Sequence, residues 1–328
     1  MPFIILLSFK ESFKYLVPLC PSHLRPASIV PNSSYLTELG ADAYYFITRK
    51  FIDTLCQIFV EARGDCTGAS AGIGEATALE FAKYNSKLIL LARRAERLQK
   101  LKSQILEKYP NTRIHTCEVD VRNKQAIDNV IANLPQELKD IDVLVNNAGI
   151  AIGFETLENQ SQEEIQATLE TNVNGLIYVT QAVLPRMKER NSGDIIIMGS
   201  ISGKQSHGFG NSIYSASKFA VEGITDSLRK ELVKTKIRVL LIRPGSVETE
   251  FTLNRSRGNS EFSKIYYSGY EPLDAKDIAE CVVFGANRPT NVVISELNVL
   301  PNAQVDTVTI HRDNDFNPMK ALSEKYKN

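Results

Sequence analysis

From Thr67 onward, short continuous apolar runs alternate with segments of helical period, and this alternation limits the fold more than any other feature of the 328-residue chain. Residues 87–91, 114–119, 141–145, 194–198, 237–242 and 292–299 read as strands. Between and around them, 75–84, 94–109, 123–134, 163–190, 215–234 and 274–286 read as helices. In 94–109, Leu98, Leu101, Ile105 and Leu106 fall on one face. The strands are apolar throughout rather than alternating, so both of their faces need cover. Strands of that kind alternating with helices predict a parallel sheet with helices on each side. Right-handed crossovers then give an α/β, doubly wound, Rossmann-like three-layer sandwich.

Composition narrows the function classes. Lys+Arg and Asp+Glu both number 38, so the formal net charge is zero and no global field draws the chain to nucleic acid or to an anionic membrane. No run reaches the roughly 18 apolar residues of a spanning helix, and no membrane association is expected. The five cysteines are widely spaced, with no C-x-x-C, and His numbers four, so no metal site is expected. Free thiols suit a reducing compartment, which points to the cytoplasm, with the nucleus as a further option.

Thr67–Gly74 (TGASAGIG) opens the first helix of the alternating region. Gly68, Gly72 and Gly74 allow a tight turn and close backbone approach, with Ser70 and Ile73 between them. The helix start then offers free N–H groups and a positive dipole end to a pyrophosphate. Such a turn should follow a buried strand. Here it follows Glu61-Ala62-Arg63-Gly64-Asp65-Cys66, a poor buried strand whose charges are costly to bury. The first strand of the fold is therefore expected to be degraded or replaced. Residues 1–66 form a prefix of unknown role, followed by one α/β domain over 67–328. The prefix has three readings: a gene-model artefact, which is preferred; a divergence that removes cofactor binding; or a strand at 56–60 with a longer connection.

Ala92-Arg93-Arg94 follows the strand at 87–91. An acidic residue there would receive a ribose 2′-hydroxyl, whereas a base accommodates the 2′-phosphate of NADP. Arg93 and Arg94 thus favour NADP, although both also suit a solvated helix start. Asp120 follows the third strand, where it either meets the adenine edge or caps the next helix.

Tyr214 and Lys218 lie four apart, on one helix face. An ammonium near a phenol favours the phenolate and lowers a pKa that is about 10 when free. Ser200 follows the strand at 194–198, at the carboxyl end where ligands bind in such sheets, and its hydroxyl can hold a substrate oxygen. Asn172 sits inside the helical stretch 163–190, an unfavourable place for a polar side chain, and can hold a water near Lys218. Each feature alone has an ordinary reading: an interface Tyr, a solvated Lys stem, a loop Ser or a local bend.

Together, Thr67–Gly74, Asn146–Gly149 (NNAG), Asn172, Ser200, Tyr214-x-x-x-Lys218 and Pro244-Gly245 resemble the short-chain dehydrogenase/reductase family in order and spacing. Stretches such as Val247-Glu248-Thr249-Glu250-Phe251 are similar to its branch of NADP-dependent 3-hydroxy acid dehydrogenases, which act on serine and L-allo-threonine. The resemblance implies that Tyr214 is the acid/base, that Lys218 tunes it and holds the nicotinamide ribose, that Ser200 orients the substrate oxygen, and that Asn172 completes a proton relay. Asn147, Ala148 and Gly149 would line the cofactor cleft with Pro244, Gly245 and Val247, and Thr249 would meet the carboxamide. It also implies NADP as cofactor, a small-molecule substrate, and a homotetramer built on the helices at 163–190 and 215–234. Lys204, His207 and Arg243 are candidates for a substrate carboxylate, and His207, in a Gly-rich loop, for a lid. The alternatives are a general carbonyl or hydroxysteroid reductase of the same family and a catalytically silent nucleotide-binding protein.

Overall fold

A computed structural model describes residues 57–61, 69, 71–208 and 210–313. Gly68 and Ser70, and almost all of the prefix, lie outside the described residues. Seven parallel strands form one sheet in the order β3-β2-β1-β4-β5-β6-β7. They are β1 (Gln57–Glu61), β2 (Lys87–Ala92), β3 (Ile114–Glu118), β4 (Val143–Asn146), β5 (Gly193–Met198), β6 (Ile237–Pro244) and β7 (Glu296–Val299). The order reverses between β1 and β4, and ligands bind at that switch point in sheets of this type.

Period-2 alternation explains how one sheet serves two cores. In β2, Leu88 and Leu90 face one layer while Ile89 and Leu91 face the other. In β5, Ile196 and Met198 point one way and Ile195 and Ile197 the other. The first layer holds α1 (Gly72–Ala82), α2 (Ala95–Lys108) and α9 (Ala275–Ala286), through Phe81, Leu101 and Val282 among others. The second holds α3 (Lys124–Ala132), α5 (Leu176–Arg190) and α6 (Ser212–Glu231), through Ile127, Val183 and Val221. Each fully buried Leu or Ile removes its side chain from water, a gain of roughly 1.5–3 kcal/mol. The doubly wound expectation holds.

The first strand is replaced, as expected, and two further readings are corrected. The place of the first strand is taken by Gln57–Glu61, which pairs with both β2 and β4. An apolar run, Ile58-Phe59-Val60, supplies that strand, displaced upstream from the turn it serves. The helical stretch 163–190 is not one helix. It divides into α4 (Gln162–Leu169), a π-helical turn at Glu170–Gly175, and α5. The last strand is only Glu296–Val299, although Ser295 O already accepts from Leu241 N of β6 at 3.0 Å. Two short helices, α7 (Glu250–Arg255) and α8 (Ser260–Tyr266), follow β6.

Candidate active site

A cleft opens at the carboxyl ends of the central strands. Ala71, Gly72 and Ile73 form one wall, at the start of α1. Ala71 precedes the helix in extended conformation and provides no side-chain cap, so the first N–H groups of an 11-residue helix are left for a ligand. Gly72 has φ +59°, and a Cβ there would press against the Thr249 side chain at 3.3 Å. A glycine is needed for both reasons. Gly74 is buried one step further into α1. This wall fits a dinucleotide pyrophosphate.

Asn147 and Gly149 line the cleft after β4, while Ala148 packs against the second core. A Cβ on Gly149 would stand 3.4 Å from Lys218 Nζ, so the bare backbone admits the lysine. Pro244, Gly245 and Val247 close the opposite wall. Thr249 caps α7, its hydroxyl accepting from Phe251 N at 3.3 Å. Arg93 and Arg94 stand half-buried at the end of β2 and do not line the cleft. The Asp120 carboxylate is turned onto Arg122, with Arg122 Nη2 donating to Oδ2 at 2.7 Å, and it also lies off the cleft.

Ser200, Tyr214 and Lys218 meet on the floor. β5 carries Ser200 to the sheet end, where its Oγ accepts from Ser202 N at 3.1 Å and caps a short 3-10 turn. The Ser200 hydroxyl favours the ionised form of the Tyr214 phenol. Tyr214 occupies the first turn of α6, and Lys218 the next. Lys218 Nζ donates to Met198 O at 2.8 Å and sits 5.9 Å from the Tyr214 ring centroid. Burial drives the Lys218 ammonium down to about 8 against a smaller opposing pull from Glu222. Burial raises the Tyr214 phenol, and Ser200 and the Arg255 guanidinium oppose that rise. The expectation that Lys218 lowers the phenol is thus corrected for the protein alone: its ammonium is engaged by a backbone carbonyl, and Arg255 is the cation that acts on Tyr214.

Asn172 is placed by the π-helical turn rather than by a regular helix. Its Oδ1 accepts from Ile150 N, and its Nδ2 donates to Ile150 O, both at 2.8 Å, and to Ser217 Oγ at 2.9 Å. It therefore ties the segment after β4 to α6, beneath Lys218.

Of the carboxylate candidates, Arg243 is buried in a bridge to Glu222 and Glu296, its Nη1 2.7 Å from Glu296, and Lys204 is exposed away from the cleft. Both are set aside, since one has its countercharge and the other has solvent. His207 does line the cleft, and burial, with Arg255 nearby, holds its imidazole down at about 4. Sequence reasoning missed Arg255, Phe154, Tyr266 and Gln304, all of which line the cleft. Glu250-Phe251-Thr252-Leu253-Asn254-Arg255 reads as a surface helix, and nothing in that pattern signals a buried arginine.

Comparison with known proteins agrees with this geometry. Residues 66–260 match the family described as short chain dehydrogenase. An NADP-dependent 3-hydroxy acid dehydrogenase of Schizosaccharomyces pombe is 40% identical over 247 residues, covering 75% of this chain and 95% of that protein. Sulfoacetaldehyde reductase 2 of Chromohalobacter salexigens is 38% identical over 239 residues, covering 73% and 93%. Among solved structures, the closed form of serine dehydrogenase complexed with NADP+ superposes with a TM-score of 0.71 at 37% identity, over 78% of this chain and 99% of that one. The chain belongs to the short-chain dehydrogenase family and is an oxidoreductase of that class. Among the described residues no helix is long and apolar enough to cross a membrane.

Proposed function

We propose that this protein transfers a hydride between NADP(H) and a small 3-hydroxy acid such as serine or L-allo-threonine. The observation that carries the reading is the meeting of Ser200, Tyr214 and Lys218 on the floor of one cleft whose wall is an uncapped helix start. The names of two relatives support the substrate class: a 3-hydroxy acid and sulfoacetaldehyde each bear an anionic group one carbon from the reacting carbon.

Bound NADP supplies or accepts the hydride at its nicotinamide, so no metal is required. The N–H groups at Gly72–Gly74 hold the pyrophosphate, and Arg93 and Arg94 accommodate the 2′-phosphate. Asn147, Gly149, Pro244, Gly245, Val247 and Thr249 position the rest, with Lys218 against the nicotinamide ribose. Ser200 donates to the substrate oxygen. Tyr214 takes the hydroxyl proton in oxidation and returns it in reduction. The positive charge of Arg255 favours the phenolate this requires, and exclusion of water strengthens the effect. Asn172 positions Lys218 and the backbone at Ile150. Exposed Leu169 on α4 and Phe219 on α6 support self-association into a homotetramer through those helices.

Tyr214→Phe tests the reading. NADP-coupled oxidation of serine or L-allo-threonine should fall by about 10²–10⁴-fold in kcat, with NADPH affinity kept within a few-fold. A variant with near-wild-type turnover would refute it.

A further inference from the structure

Arg255 is buried, with 8% of its surface exposed, and it lines the cleft beside Tyr214. Its Nε donates to Gly153 O at 3.2 Å, and its Nη2 to Gly210 O at 2.6 Å and Asn211 Oδ1 at 3.1 Å. All of these are neutral acceptors. The guanidinium stacks over the Phe154 ring at 4.5 Å and stands 5.9 Å from the Tyr214 ring centroid. Among the described residues, no carboxylate reaches ion-pair distance of it, and Nη1 makes no hydrogen bond.

The surroundings sharpen this. Among the described residues that line the cleft, none is Asp or Glu. Glu155, the nearest acid to influence Arg255, is taken by Arg257, whose Nη1 lies 2.6 Å from it. Tyr214 and Tyr266 lie close to the guanidinium, and the half-buried His207 adds no countercharge. A buried cation without a countercharge is costly, and it is kept where something else supplies the anion. Three neutral acceptors hold its fork rigidly, so little freedom remains to be lost when a ligand docks.

We propose that Arg255 anchors the substrate carboxylate through Nη1 while Tyr214 and Ser200 hold the hydroxyl. One methylene separates carbinol and carboxylate in a 3-hydroxy acid, a span that suits a guanidinium set beside the Tyr214 ring. The anchor rests on the function proposed above and assigns its specificity to a residue on α7.

The test compares 3-hydroxybutanoate with its methyl ester, with NADP, in the wild-type chain, Arg255→Gln and Arg255→Lys. The wild-type ratio of kcat/KM, acid over ester, should fall about a hundredfold in Arg255→Gln, chiefly through KM, and less in Arg255→Lys. An unchanged ratio in a variant that melts like wild type overturns the anchor. If Arg255→Gln does not fold, the wild type decides, through calorimetric titration of butanoate and butanamide with NADP present. Butanoate should bind and butanamide should not, and equal binding overturns the proposal. If the wild type oxidises neither compound, the proposed function fails, while the butanoate titration still reads on Arg255 alone.

Discussion

Lys218 is a cation placed where a cation is expensive. It is 4% exposed, and its ammonium donates to a backbone carbonyl, Met198 O. Its folded value near 8 lies below the ordinary 10.5, so the folded state binds fewer protons than the unfolded chain between these values. The penalty is therefore complete below about pH 8 and is relieved as pH rises toward 10.5. Lys218→Met removes it. The variant should be inactive yet more stable than wild type by about 3 kcal/mol at neutral pH, with the advantage shrinking between pH 8 and 10.5. Urea midpoints across that range check it, and parallel pH curves would contradict the assignment. At this scale the sequence was legible for Tyr214 and Lys218, because a four-residue spacing on a helix fixes a shared face. It was blind to Arg255, because burial of that side chain depends on Gly153, Gly210 and Asn211, which are distant in sequence.

The π-helical turn at Glu170–Gly175 is the element that joins fold to site. Its last residue, Gly175, packs where a Cβ would come within 2.7 Å of Val121 Cγ2, and its third, Asn172, bridges Ile150 and Ser217. Such turns are uncommon and cluster at functional sites. A polar Asn within an apolar helical stretch hinted at a departure, but the shift of hydrogen bonding comes from contacts made across the core. Asn172→Ala leaves both polar groups of Ile150 without this partner, at a cost of about 2–3 kcal/mol. The urea midpoint should fall with its slope unchanged, and NADPH affinity should weaken because the Asn147–Gly149 backbone loses its tether. A variant with wild-type midpoint and affinity would remove Asn172 from this role.

For the whole molecule, the sheet order, the reversal between β1 and β4 and the two cores place the cleft at one end of the strands. A ligand that binds only the folded state stabilises all of it by mass action. At a hundred times its Kd, NADPH should add about 2.7 kcal/mol, or roughly 5–10 °C in melting temperature for a chain of this size. NADH at the same concentration should do less, since it offers no 2′-phosphate to Arg93 and Arg94. Equal shifts would argue against that pocket, and no shift with either would argue against cofactor binding.

The sequence by itself determined the α/β class and the two-sided burial of the strands, and it singled out Ser200, Tyr214 and Lys218 as candidates. All three follow from local period or from short motifs, where neighbours in sequence are neighbours in space. Only the tertiary structure decided that Gln57–Glu61 completes the sheet, that Asn172 lies in a π-helical turn, that Arg243 is engaged by Glu222 and Glu296, and that Arg255 lines the cleft with no carboxylate of the described residues beside it. Each of these depends on which distant residues share a face, a bridge or a cavity. Hydropathy and spacing do not encode that, because it arises only when the layers pack.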